Sequence, residues 1–72
     1  MTSYSIFVRE IDDSEGRPPQ LLAYDIGDCR EAQSIVSGIA AAYPEHGERP
    51  GTGVYWFRFG GNMHEIYAWP HH

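Results

Sequence analysis

Apolar and polar positions alternate from the first residues of this chain. Tyr4, Ile6 and Val8 fall on one side of an extended backbone and Ser5, Phe7 and Arg9 on the other, which predicts a half-buried strand over about residues 4–11. The acidic stretch that follows, 12–19, carries a glycine and two prolines and reads as a loop. A second strand is predicted over about 20–26, with Leu22, Tyr24 and Ile26 on one face, so the first two strands form a long-looped hairpin.

The period changes at Asp28. This residue is a good helix N-cap, and Glu31, three positions on, makes a capping-box-like pair and puts acidic charge in the first turn. Ala32, Ile35, Val36, Ile39, Ala40 and Tyr43 then recur at the i, i+3, i+4, i+7 spacing of one helical stripe. The helix is expected over about 29–43, with Pro44 ending it. Gly38 costs ~1 kcal/mol against alanine in a helix interior, which predicts a close approach of helix to sheet there. Residues 45–53, rich in Gly and Pro, read as a polar loop. About 54–59 is the strongest strand signal, Gly60-Gly61-Asn62 a tight hairpin turn, and about 63–69 a last strand stopped by Pro70.

The pattern predicts a single α+β domain over residues 1–72. Its element order is ββαββ, a four-stranded antiparallel sheet with one helix packed on one face. One helix covers one face only, so the other must meet water or a partner. The residues hardest to bury settle which face is which. Arg9, Arg58 and Glu65 point outward, and that carries Phe7, Trp56, Tyr67 and Trp69 outward with them, while His64, Ile66 and Ala68 turn inward. Trp, Tyr and Arg dominate interface hot spots, and a contiguous aromatic patch is seldom left bare. The expected partner-binding residues are therefore Phe7, Arg9, Trp56, Arg58, Tyr67 and Trp69.

Composition narrows the partner. Ten acidic residues face five basic ones, for a net charge of −5. Every basic residue is arginine and there is no lysine, the codon signature of a GC-rich bacterial or phage genome. Phosphate neutralisation needs a basic stripe, so nucleic acid is not the expected partner. The stretch 53–59 shares aromatic spacing with an RNA-binding strand motif but lacks its leading basic residue and its small residue between the aromatics. A lone cysteine excludes an internal disulfide and fits a reducing compartment. With no signal-peptide pattern at the start and no apolar run near the ~18 residues of a membrane span, a cytoplasmic location is expected.

Candidate chemistry is sparse. His46, His64, His71 and His72 with Cys29 show no zinc-site spacing, so neither metal nor cofactor is expected. His64 reads as a hydrogen-bonded core histidine, and Cys29 as a small buried hydrophobe. The terminal His71-His72 pair, native or a tag remnant, carries no weight. The 12–16 acidic run fails as a calcium loop because position 22 is Leu. No glycine-rich loop forms a phosphate cradle, and Ser34 and Ser37 lack a local histidine, so no enzyme is expected. The leading expectation is a small non-enzymatic protein-binding module, a regulator or phage-type inhibitor, acting through the aromatic sheet face and the acidic loops on a basic, nucleic-acid-binding surface of its target. Two alternatives stand beside it. One is a small-molecule or metal-binding domain with a site near His64, Tyr24 and Tyr43. The other is a homodimeric structural module without external ligand. Under any of these readings a homodimer is expected, since a domain this small is marginal and self-association would help it.

Overall fold

The computed structural model describes residues 2–11 and 18–71, the side chain of His71 excepted. Most of the predicted acidic loop, 12–17, lies outside the described residues. The elements run β1 (Ser3–Glu10), β2 (Gln20–Ile26), α1 (Cys29–Ala41), β3 (His46–Arg49), β4 (Val54–Phe59) and β5 (Asn62–His71). They form an antiparallel sheet of five strands in the order β2-β1-β5-β4-β3, covered on one face by α1. The α+β class and the helix-on-sheet packing match the sequence reading; four strands and ββαββ do not. The chain is ββαβββ, because part of the predicted 45–53 loop is the edge strand β3.

That strand is polar and short, so hydrophobic periodicity does not mark it. It is defined by the turn after it. Pro50 and Gly51 occupy the corner positions of a turn closed by Thr52 N–H donating to the Arg49 carbonyl (3.3 Å), with Gly51 at φ 77° as a type II corner requires. The Thr52 hydroxyl also donates to the Arg49 carbonyl (2.7 Å) and accepts from Val54 N–H (3.1 Å). His46, Gly47, Glu48 and Arg49 then pair with Phe57, Trp56, Tyr55 and Val54. The Tyr55 hydroxyl hydrogen-bonds Glu48 across this ladder, which raises the phenol above its ordinary pKa. At the other hairpin Gly60 and Gly61 both have positive φ (62° and 83°) between the paired Phe59 and Asn62, a two-residue turn within the predicted 60–62, with Asn62 already the first residue of β5.

Two details of the strands differ from expectation. β2 does not alternate simply, because register shifts fall between Tyr4 and Ile6 and between Ile6 and Phe7. Ala23 and Ile26 reach the core, whereas Leu22 and Tyr24 are exposed; Asp25, at φ 64°, takes up one irregularity. Pro70 does not stop β5, which stays paired with β1 through Tyr4–Pro70 and Ser3–His71. The β4 ladder ends at Tyr55–Ile66, leaving β5 one unpaired side where a residue without an N–H is tolerated.

The helix forms where the capping signal places it. Asp28 is extended (φ −131°, ψ 127°) and its Oδ1 accepts from Arg30 N–H at 3.1 Å. At the far end Ala42 and Tyr43 N–H donate to the Ile39 and Ala40 carbonyls, tightening the last turn before Pro44. Ile6, Val36, Ala40, Phe57 and Ile66 form the core, with Val8, Ala23, Ile26, Ile35, Ile39, Tyr43, Tyr55 and Ala68 packed around it. Close approach of α1 to the sheet comes from the fully buried Ala32 and Ala40, not from Gly38, which is exposed. A Cβ at Gly38 meets nothing within 4 Å. Gly38→Ala is therefore expected to raise stability by about 0.5–1 kcal/mol in urea unfolding; a loss would mean that the glycine serves a contact. Cys29 is likewise exposed rather than buried; it stands at the first position of α1, with its side chain beside Tyr4 of β1.

Candidate functional site

The face of the sheet turned away from α1 is organised as two neighbouring rows, set by strand pairing. Phe7 stands opposite Tyr67 across β1 and β5, and Ser5 opposite Trp69. The Phe7 and Tyr67 rings stack (6.0 Å between centroids, 28°), and Tyr67 meets Trp69 edge to face (6.5 Å, 81°). These offset and edge contacts are the favourable geometries for aromatic pairs, so the row is held rather than collapsed.

The second row is ionic. Arg9 stands opposite Glu65, and Glu65 opposite Trp56. Glu65 is 6% exposed, although it lies on the face without a helix. Arg9 donates to its Oε1 from Nε (3.0 Å) and Nη2 (2.6 Å), and Arg49, on the edge strand, reaches across β4 to pair its Nε with Oε2. Burial alone would raise the pKa of Glu65. The Arg9 hydrogen bonds and the charges of Arg49 and Arg9 outweigh it and hold the carboxyl below its usual range. The same contact raises the pKa of Arg9 further. Arg9 and Arg49 keep about half of their side-chain surface in solvent (55% and 49%).

Between the rows runs an open groove of about 490 Å³, lined by Phe7, Arg9, Pro19, Val54, Glu65, Tyr67 and Trp69. Of the residues expected to bind a partner, Phe7, Arg9, Tyr67 and Trp69 meet here. Trp56 and Arg58 share the open face but do not line the groove. Trp56 is half-buried over Gly47 of β3, where a Cβ would come within 2.7 Å of the indole nitrogen. Its role is to seat the edge strand, and glycine is needed at 47 for that close approach. Arg58 pairs with Glu45 (2.9 Å) beside the β4–β5 hairpin. Arg49, which completes the Glu65 pairing, was hidden in the stretch read as a loop. Reading Pro50-Gly51 as a hairpin corner would have set Arg49 opposite Val54 on the open face.

The arrangement near His64 is different in kind. Its ring stacks on Phe57 (5.0 Å, 4°) and Nδ1 lies 3.1 Å from the Asn62 carbonyl, so one ring face and one nitrogen are engaged. Tyr43 stacks on the same Phe57 (4.1 Å, 10°). Tyr24 is 71% exposed on β2, beside the Tyr4–Ile6 end of β1, whereas His64 pairs with Glu10 at the other end. The three residues of the alternative site are thus not brought together. Among the described residues no three of His, Cys, Asp and Glu are placed to hold a metal ion, no buried side-chain nitrogen or oxygen lacks a hydrogen-bond partner, and no helix is long and apolar enough to cross a membrane.

No protein-family model matches the chain, and neither the curated proteins nor the solved structures contain a significant match to it.

Proposed function

We propose that this chain is a small non-enzymatic protein-binding module, a regulator or inhibitor that engages its partner through the open, aromatic face of the sheet. One observation carries the reading: Trp69 is 61% exposed at the end of an ordered aromatic row that borders a groove. Covering roughly 100–150 Å² of such a ring contributes about 3 kcal/mol at ~25 cal/mol/Å², before the costs of association. Neighbouring Phe7, Tyr67 and Val54 extend the apolar surface, and the fixed Arg9 and Arg49 give it a polar border, the anatomy of a hot-spot cluster with a rim.

Trp69→Ala and Trp56→Ala separate binding from folding. Trp69→Ala is expected to unfold within about 0.5 kcal/mol of the parent, as exposed positions do, yet to lose at least about tenfold of the partner recovered by a tagged chain from lysate of the source organism. Trp56→Ala is expected to lose stability first, because it unseats β3. Undiminished capture by Trp69→Ala would defeat the reading. Recovery of nothing but the chain itself would replace it with a homodimeric structural module.

A further inference from the structure

The overall charge of −5 conceals a division between the two faces. Of the four described arginines, Arg9, Arg49 and Arg58 lie on the open face, accompanied there by Glu65 and Glu45, and both of these carboxylates are already paired. Glu10, Asp28, Glu31 and Glu48 belong to the helix side, with Arg30, and Asp25 sits at the irregularity of the edge strand β2. Among the described residues, the groove therefore has a positive border. At physiological ionic strength charges are screened within about 8 Å, so a ligand in the groove responds to this border more than to the distant helix side.

The donor geometry is specific. One buried carboxylate is shared by two guanidiniums. Arg9 gives it Nε and Nη2 and Arg49 gives it Nε, while about half of each arginine's side-chain surface (55% and 49%) stays open to a further acceptor. Each guanidinium is a rigid fork suited to a carboxylate, and Glu65 holds both in place before anything binds. Pre-ordering removes part of the side-chain entropy cost that a free arginine would incur on binding. Next to these donors lies the apolar wall of Phe7, Tyr67, Trp69 and Val54.

Resting on the protein-binding reading above, we propose that the groove receives an acidic segment of a partner protein, one that sets carboxylates on Arg9 and Arg49 while its apolar side chains cover Tyr67 and Trp69. A nucleic-acid strand is the less suited occupant, since a phosphate backbone wants a continuous basic track and here two arginines share one glutamate.

The test is an NMR titration of the intact chain with three probes, each to about 1 mM, a range in which weak binding is still read. These are a capped heptapeptide alternating aspartate with leucine, its lysine–leucine counterpart, and a twelve-nucleotide oligothymidylate. The acidic peptide is expected to shift the Trp69 indole and the Phe7 and Tyr67 amides, to bind at least about tenfold more tightly than the lysine peptide, and to weaken several-fold on raising salt. Arg9→Gln and Arg49→Gln should each reduce acidic-peptide binding about tenfold. The comparison of opposite peptides on the unmodified chain stands even if a variant folds poorly. Equal or tighter binding of the lysine peptide overturns the acidic assignment while leaving the open-face reading intact. Preference for the oligonucleotide overturns both, and no shift on the open face with the acidic peptide overturns the assignment outright. Loss or retention of captured partner in Trp69→Ala reports separately on the parent reading.

Discussion

Phe57→Ala is expected to destabilise the fold by about 3–5 kcal/mol, enough to leave a domain of this size substantially unfolded at 25 °C. Phe57 is 5% exposed and sits in the core cluster with Ile6, Val36, Ala40 and Ile66. Its ring lies between Tyr43, which follows α1, and His64 on β5, stacked on both. Tyr43 also meets Phe59 edge to face (5.7 Å, 68°). Truncation removes the transfer energy of a large ring, leaves a cavity that the sheet cannot close, and breaks two aromatic contacts worth about 0.5–1.5 kcal/mol each. Because the stack joins helix end to sheet, the loss also loosens the C-terminal end of α1, whose remaining anchors are Ala32, Val36 and Ala40 with Ile35 and Ile39 packed beside them. Phe57→Leu should cost much less, since it retains most of the buried volume. Urea unfolding of parent and both variants checks this. A Phe57→Ala variant within about 1 kcal/mol of the parent would show that the stack is not part of the stabilising core.

Most of this architecture was legible from periodicity. The change from period two to the helical spacing at Asp28, the stripe from Ala32 to Tyr43 and the glycine turn placed at 60–62 predict elements that the structure contains, the turn itself being Gly60-Gly61 alone. The outward assignment of Phe7, Tyr67 and Trp69 followed from one physical argument, that Arg9 and Glu65 must face out. Glu65 does face out, yet it is buried there, because Arg9 and Arg49 cover it. Burial of a charge by its partners depends on pairing across three strands, and no local pattern reveals that.

β3 was missed for a related reason. Its residues His46, Gly47, Glu48 and Arg49 offer no apolar alternation; what holds them is Trp56 over Gly47, Glu48 with Tyr55 and Arg49 with Glu65. The bulges of β2 were invisible because an extra residue in one strand is defined only against its partner. Gly38 and Cys29 were misplaced by arguing from residue type to burial. The real close-packing positions are Ala32 and Ala40, whose small size the helical stripe already displayed.

Glu65→Gln is expected to cost about 2–3 kcal/mol at neutral pH and to flatten the acid limb of the stability curve. Removing one partner from a fully buried ion pair costs ~3–5 kcal/mol; here the arginines are half in solvent and rehydrate, which lowers the figure. The sign of the pH effect follows from the depressed carboxyl. Folded Glu65 gives up its proton more readily than unfolded Glu65, so its contribution is complete above the unfolded value near 4.3. It is lost as pH falls through the lower folded value. The parent should therefore lose stability on acidification from about pH 5 toward pH 3 more steeply than Glu65→Gln, and the two curves should converge at the acid end. Parallel curves would mean that another carboxylate governs acid unfolding. If the triad acts as a unit, combining Glu65→Gln with Arg49→Gln costs less than the sum of the single changes. The same measurement bears on the groove, because Glu65 is what fixes Arg9 and Arg49. Protonating or replacing it should release both guanidiniums and weaken acidic-peptide binding through lost positioning, even though two positive charges are then left unopposed.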